Sequence, residues 1–302
     1  MKRKHACGHQ LREEFSTNMR SKFLFFFIFT LLFSVSLMGQ NSTEIFNEAR
    51  IMIFVNGNRG PKFNHVTTDN QLHLKDPTGY WYKYDDTILS RFKPITPIYF
   101  DGHFPVKSSM HRTNLRFLKA YFFSRFCWFS KKSRWVLNTK FNPDGFKERE
   151  ENGKIAGKHF LNYLDSTGLK EKLITVDFVT HSMGYAYSLG MIDVIKPYVK
   201  FGKMLSIAPE SAGFKGYDWN EFEEVWQYGS NYGEPNADVI YYQDGIALQM
   251  PIKGIENIKK GGRVFIPKEW PKSQKGFLRS HHLNWFQWFY LIKPGDKGYF
   301  TR

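Results

Sequence analysis

A serine, an aspartate and a pair of histidines follow apolar runs, in that order along the chain. Ser182 sits in "THSMG" after "ITVDFV", Asp244 opens "DGIALQMP" after "VIYYQ", and His281 and His282 stand in "RSHHLNWF" beyond "RVFIP". A serine hydroxyl attacks poorly until a base takes its proton, and an imidazole base works best when a carboxylate holds its other ring nitrogen. The chemistry these residue types offer is nucleophilic acyl transfer. It also needs backbone N–H groups aimed at the developing oxyanion. Met183, directly after the serine, offers one, and Asn58 in "VNGNRGP", between Gly57 and Gly60, offers the other.

Each assignment has a rival. A nucleophile on a tight strand-to-helix turn needs small residues two before and two after it. Gly184 meets that need in full, while Thr180 fits more tightly than a glycine would. An Asp-Gly pair also serves as an ordinary turn, and Glu210 in "APESAG" is the alternative acid. Of the adjacent His281 and His282 only one can face the site, so His281 stays the alternative base. His181, next to the serine, should point away from its hydroxyl and is read as packing. His103 in "FDGH" could make a substrate-side contact or a core hydrogen bond, and the second reading is favoured.

The elements that must position these groups are short runs of β-branched and aromatic residues. They are Ile51–Val55, Thr96–Phe100, Ile174–Thr180, Met204–Ala208, Val239–Gln243 and Val264–Ile266. Several are continuously apolar, as strands covered on both faces are. Helical patterns lie between them: one from Asn142 to Gly168 with Asp144 near its start, one from Tyr185 after the serine, and one over "HHLNWFQWFYLI". The alternation predicts an α/β fold, a mostly parallel central sheet with helices on both faces. Ligands of such sheets bind beyond the carboxyl ends of the strands, where the candidate residues fall. The stretch "GFKGYDWNEFEEVWQYGSNYGEP" reads as a polar-aromatic insertion bordering that site.

Residues 1–39 read as an N-terminal extension and signal peptide: Arg20 and Lys22 precede the apolar run Phe23–Met38, and Gly39 closes it. Met19 offers an alternative start, and an uncleaved membrane anchor is the alternative fate. The remaining 40–302 then form a single domain of an exported protein held in the bacterial periplasm, on the outer surface, or secreted. Cys127 would be its lone cysteine, so no disulfide is expected within the chain. The formal charge is +15, which favours anionic partners such as a phospholipid surface. No nucleic-acid-binding signature accompanies it, so nucleic acid is not expected. Residues around 112–140, with aromatics interleaved with Arg and Lys, read as a lid or interfacial insertion, or else as a helix with a basic outer face.

Taken together, these segments resemble the α/β-hydrolase superfamily, in particular its bacterial lipases and esterases. "VNGNRG" is similar to the lipase H-G-x-x-G oxyanion loop, with Asn56 in the place of histidine. "THSMG" resembles the nucleophile elbow, with Thr180 departing from it. "QDGIALQMP" is similar to the N-D-G-[VL]-V-P segment that carries the acid. "HHLNWF" resembles N-H-L-D, which favours His282 over His281 and departs at Asn284. The resemblance implies a carboxylic-ester hydrolase with a Ser182–Asp244–His282 triad working through an acyl-enzyme, with no cofactor; no metal-ligating residues are singled out. Its partner would be an ester or lipid substrate. The alternatives are a thioesterase or peptidase on the same scaffold, or a silent hydrolase-like module that binds lipid or a surface glycan.

Overall fold

A computed structural model describes residues 48–57, 59, 69–92, 95–103, 143–229, 250–265 and 283–301. The chain divides into two units, Met1–Glu48 and Ala49–Arg302, and apart from Glu48 the described residues lie in the second. The apolar run Phe23–Met38, Cys127 and the segment 112–140 lie outside them. Among the described residues no helix is long and apolar enough to cross a membrane.

The elements run β1 (Glu48–Val55), α1 (Tyr84–Ser90), β2 (Thr96–Phe100), α2 (Pro143–Ser166), β3 (Leu173–His181), α3 (Gly184–Ile195), β4 (Lys200–Ile207), β5 (Phe222–Gly229) and β6 (Gly261–Phe265). The last helical piece, Leu283–Leu291, is wound as a 3-10 helix. The strands form one sheet in the order β2-β1-β3-β4-β5-β6. The pairs β1–β2, β3–β4, β4–β5 and β5–β6 are parallel. An α/β architecture follows, as the alternation of patterns predicts.

Both faces of the sheet are covered. Ile51, Ile53 and Val55 of β1 pack with Phe160 and Leu164 of α2 and with Leu189 and Ile192 of α3. The alternate residues Met52 and Phe54 pack with Tyr84 and Ile88 of α1 and with Trp288 and Phe289. This division is what right-handed crossovers require. The chain steps from β1 outward to β2, then back across β1 to β3, so the two connections must lie on opposite faces. The same reversal makes the carboxyl ends of β1 and β3 the switch point of the sheet, where open α/β sheets bind ligands.

The interface of α2 and α3 is made by glycines. A Cβ on Gly153 would fall 1.9 Å from the Tyr187 carbonyl oxygen, and one on Gly190 would fall 1.9 Å from that of Glu150. The backbones therefore touch, and α3 is buried over nearly its whole circumference, as expected of a helix with little polar surface.

A row of charges crosses the α1 face nearer the strands' amino ends. Arg50 on β1 grips Asp177 on β3 with two hydrogen bonds, 2.6 and 2.7 Å. Asp177 also accepts the backbone N–H of Lys203 at 2.7 Å, filling an irregularity in the β3–β4 ladder. Lys203 on β4 pairs with Glu224 on β5 at 2.5 Å, and Glu224 takes further contacts from Lys260 at 2.6 Å and Trp226 Nε1 at 2.8 Å. Asp177, Lys203 and Glu224 are buried.

Strand β5 corrects one expectation. The stretch read as a polar insertion contains a full sheet strand, Phe222–Gly229, seven of whose eight residues are buried. The strand expected at Val239–Gln243 lies outside the described residues.

Candidate active site

Strand β3 stops at His181 and α3 starts at Gly184, leaving Ser182 and Met183 to make the turn. Ser182 holds φ +55°, the left-handed region that L side chains seldom adopt. Its neighbours hold it there. The Ser182 N–H donates to the Ile207 carbonyl at 3.0 Å, and the Ser182 carbonyl accepts from Glu210 N–H at 3.1 Å and from Tyr185 N–H at 3.2 Å. Ala208 and Ser211, at the end of β4, also have positive φ. Strained non-glycine backbone gathered at one place is a mark of functional sites.

The small residues around the turn have visible reasons. A Cβ on Gly184 would fall 2.4 Å from the Val55 carbonyl oxygen, so only glycine lets α3 start against β1. Thr180 is fully buried and donates to Ser206 Oγ at 3.1 Å. That is how a threonine fits two residues before the serine: it packs toward β4 with its hydroxyl satisfied. Met183 stands at the N-terminal boundary of α3, where backbone N–H groups and the helix dipole favour negative charge.

The loop after β1 runs directly over the serine. A Cβ on Gly57 would fall 2.6 Å from Ser182 Cβ, 2.9 Å from the His181 carbonyl oxygen and 3.1 Å from Tyr80 Oη. Asn56 anchors the loop, with Nδ2 donating to the Gly57 carbonyl at 2.9 Å and to Asp101 Oδ1 at 2.8 Å. Asp101 also accepts His103 N–H at 3.0 Å and pairs with Arg59 at 3.3 Å. Asn58, the expected second oxyanion donor, lies between these anchored residues but outside the described ones.

His181 is buried, and its Nδ1 lies 2.5 Å from Tyr80 Oη. Read as packing in the sequence, it makes a polar contact through that nitrogen. Burial pushes the Tyr80 phenol well above its ordinary range, partly offset by the Gly57 backbone amide. His103 has no hydrogen-bond partner for Nδ1 among the described residues, so the expected core hydrogen bond is not made at that atom. Burial, reinforced by the Arg149 charge, pushes His103 down to about 4, so its ring is neutral at pH 7. Arg149 is itself buried and donates to the Gly102 carbonyl at 2.8 Å.

Of the residues expected to share the site, the structure brings together Ser182, Met183 and Glu210. Asp244, His281 and His282 lie outside the described residues, in segments that follow β5 and β6 in sequence. Among the described residues no cluster of His, Cys, Asp and Glu could hold a metal ion. Sequence reasoning passed over Tyr80, Asp101 and Arg149. The first stands in "DPTGYWY", which reads as a turn, and the arginine lies inside a charged helix. No protein-family model, curated protein or solved structure matches the chain.

Proposed function

We propose that the chain is a serine hydrolase that cleaves carboxylic esters through an acyl-enzyme, of lipase or esterase type on an α/β-hydrolase fold. One observation carries this reading: Ser182 is held at φ +55° between a buried parallel strand and a helix start, beside the switch point of the sheet. A nucleophile on a strand-to-helix turn needs that conformation, because the turn lifts its hydroxyl clear of both elements. Of the positive-φ residues beside the switch point, Ser182 is the one between a strand end and a helix start.

Ser182 Oγ attacks the ester carbonyl and passes its proton to His282. Asp244 accepts from the other ring nitrogen and steadies the imidazolium. The Met183 and Asn58 amides receive the oxyanion. The chain order of strands supports the assignment: the segment with Asp244 follows β5 and the one with His282 follows β6, both beyond β3 in the same parallel sheet. The basic composition fits an ester substrate presented at an anionic lipid surface. The segment Arg20–Gly39 fits export of the enzyme.

The test is covalent labelling of purified protein with a fluorophosphonate probe, comparing wild type with Ser182→Ala and His282→Ala and mapping the modified peptide. Labelling of Ser182 in wild type, lost in both variants, is the expected result. Wild type that stays unlabelled with and without added detergent or lipid overturns the reading.

A further inference from the structure

Beside Ser182 stands a side-chain donor that the triad does not use. Tyr80 Oη and Ser182 Cβ both lie closer than van der Waals contact to a single point, the place a Cβ on Gly57 would occupy, at 3.1 and 2.6 Å. The phenol is held from behind. Its ring meets Trp81 edge-on at 5.5 Å and His181 at a tilt at 5.7 Å. The turn that presents it is closed by Asp76, which accepts Thr78 N–H at 3.0 Å and Trp81 N–H at 2.6 Å, while Thr78 Oγ1 accepts Tyr80 N–H at 3.2 Å. Tyr80 as a whole is partly buried, and its phenol oxygen lies beside the Gly57 backbone that runs over Ser182.

We propose that Tyr80 is a catalytic residue, donating its hydroxyl hydrogen to the oxyanion formed when Ser182 attacks, and that His181 is the positioning residue that turns that hydrogen outward. This rests on the serine-hydrolase reading of Ser182. When Ser182 Oγ bonds to the carbonyl carbon, its proton goes to the base and the carbonyl π pair moves onto oxygen. Tyr80 hydrogen-bonds that oxygen without transferring its proton. The pair returns as the alkoxide leaves with the base's proton. A phenol turns its hydrogen outward when the group behind its oxygen is a donor rather than an acceptor. His181 Nδ1, 2.5 Å away, meets that need when the ring carries its proton on that nitrogen, and so does the Gly57 amide beside the same oxygen. The raised phenol keeps the donor protonated at every pH at which an imidazole base works.

The experiment uses p-nitrophenyl butyrate hydrolysis, fluorophosphonate labelling and the inhibition constant of a butyl trifluoromethyl ketone, whose adduct with serine carries an oxyanion. In Tyr80→Phe, kcat should fall about 100-fold or more with KM within roughly threefold. Ser182 should still label to completion, more slowly, and ketone affinity should fall in step with kcat/KM. His181→Asn keeps a donor near the Nδ1 position and should retain far more activity than His181→Leu. Should Tyr80→Phe fail to fold, 3-fluorotyrosine at position 80 keeps the ring and strengthens the donor, so the ketone should bind more tightly. Wild-type kcat in Tyr80→Phe, or ketone affinity unmoved by both changes at Tyr80, overturns the role of Tyr80 and leaves the serine-hydrolase reading standing. Wild type that neither hydrolyses the ester nor labels at Ser182 overturns both.

Discussion

Asp101 wires the mouth of the site at the scale of single residues. Its carboxylate takes the Asn56 side chain, the His103 backbone and Arg59 together, so the loop over Ser182 is tied to the turn after β2. Asn56 stands where the lipase pattern has histidine, and its amide makes both a loop contact and a cross-strand contact. Next to it, the neutral His103 carries a pH signature. Its pKa lies near 4 in the folded chain, below the ordinary 6.5. As pH falls below about 6.5, the unfolded chain binds a proton at this ring that the native chain refuses, so stability declines until about pH 4 and no further at this residue. The share is up to about 3 kcal/mol. Urea midpoints measured from pH 7 to pH 4 should fall more steeply for wild type than for His103→Gln, and parallel curves would count against the assignment. The tight turn at Ser182 is legible in the sequence because a strand-to-helix turn of this kind needs a short local pattern, and "THSMG" supplies it. Asp101, Tyr80 and Arg149 are not, because each acts through a partner at least 45 positions away.

Helix α3 meets both α2 and β1 through backbone, and both contacts forbid side chains. Gly190→Ala would drive a methyl group into the Glu150 carbonyl, and Gly184→Ala would drive one into the Val55 carbonyl. Each should cost about 3 kcal/mol or more, since neither carbonyl can move without its helix or strand. Gly79→Ala is the control: it meets nothing within 4 Å and pays only for φ +69°, about 1–2 kcal/mol. Thermal melts of these variants should keep that order. The order of elements follows from pattern alone for β1, β2, β3, α2 and α3. It fails at β5 for a physical reason. "NEFEEVWQYG" carries Glu221, Glu223 and Glu224, and charges of one sign argue against a buried strand. Glu224 is buried because Lys203 and Lys260 meet it from outside the segment, and no local window contains those lysines. Helix α1 escapes notice for a related reason, being a short "YDDTILS" turned inward by Tyr84 and Ile88.

On the scale of the whole molecule, the sheet separates its tasks along the strands. Strained turns and the serine lie at the carboxyl ends, while the charge row lies toward the amino ends. Removing one member of a buried pair leaves its partner uncompensated, so Asp177→Asn should destabilise by about 3–5 kcal/mol. Replacing Arg50 and Asp177 together with Met and Leu should cost far less, and chemical denaturation of the three proteins would show whether it does. Such a row also does something that hydrophobic burial cannot. Strands that are apolar on both faces look alike after a shift along their axes, since one isoleucine replaces another at little cost. Arg50, Asp177, Lys203 and Glu224 alternate in sign across adjacent strands, so any sliding places a charge against a hydrocarbon neighbour. The row acts as an index mark for assembling the sheet, and the alignment it sets at one end delivers Gly57 to Ser182 at the other.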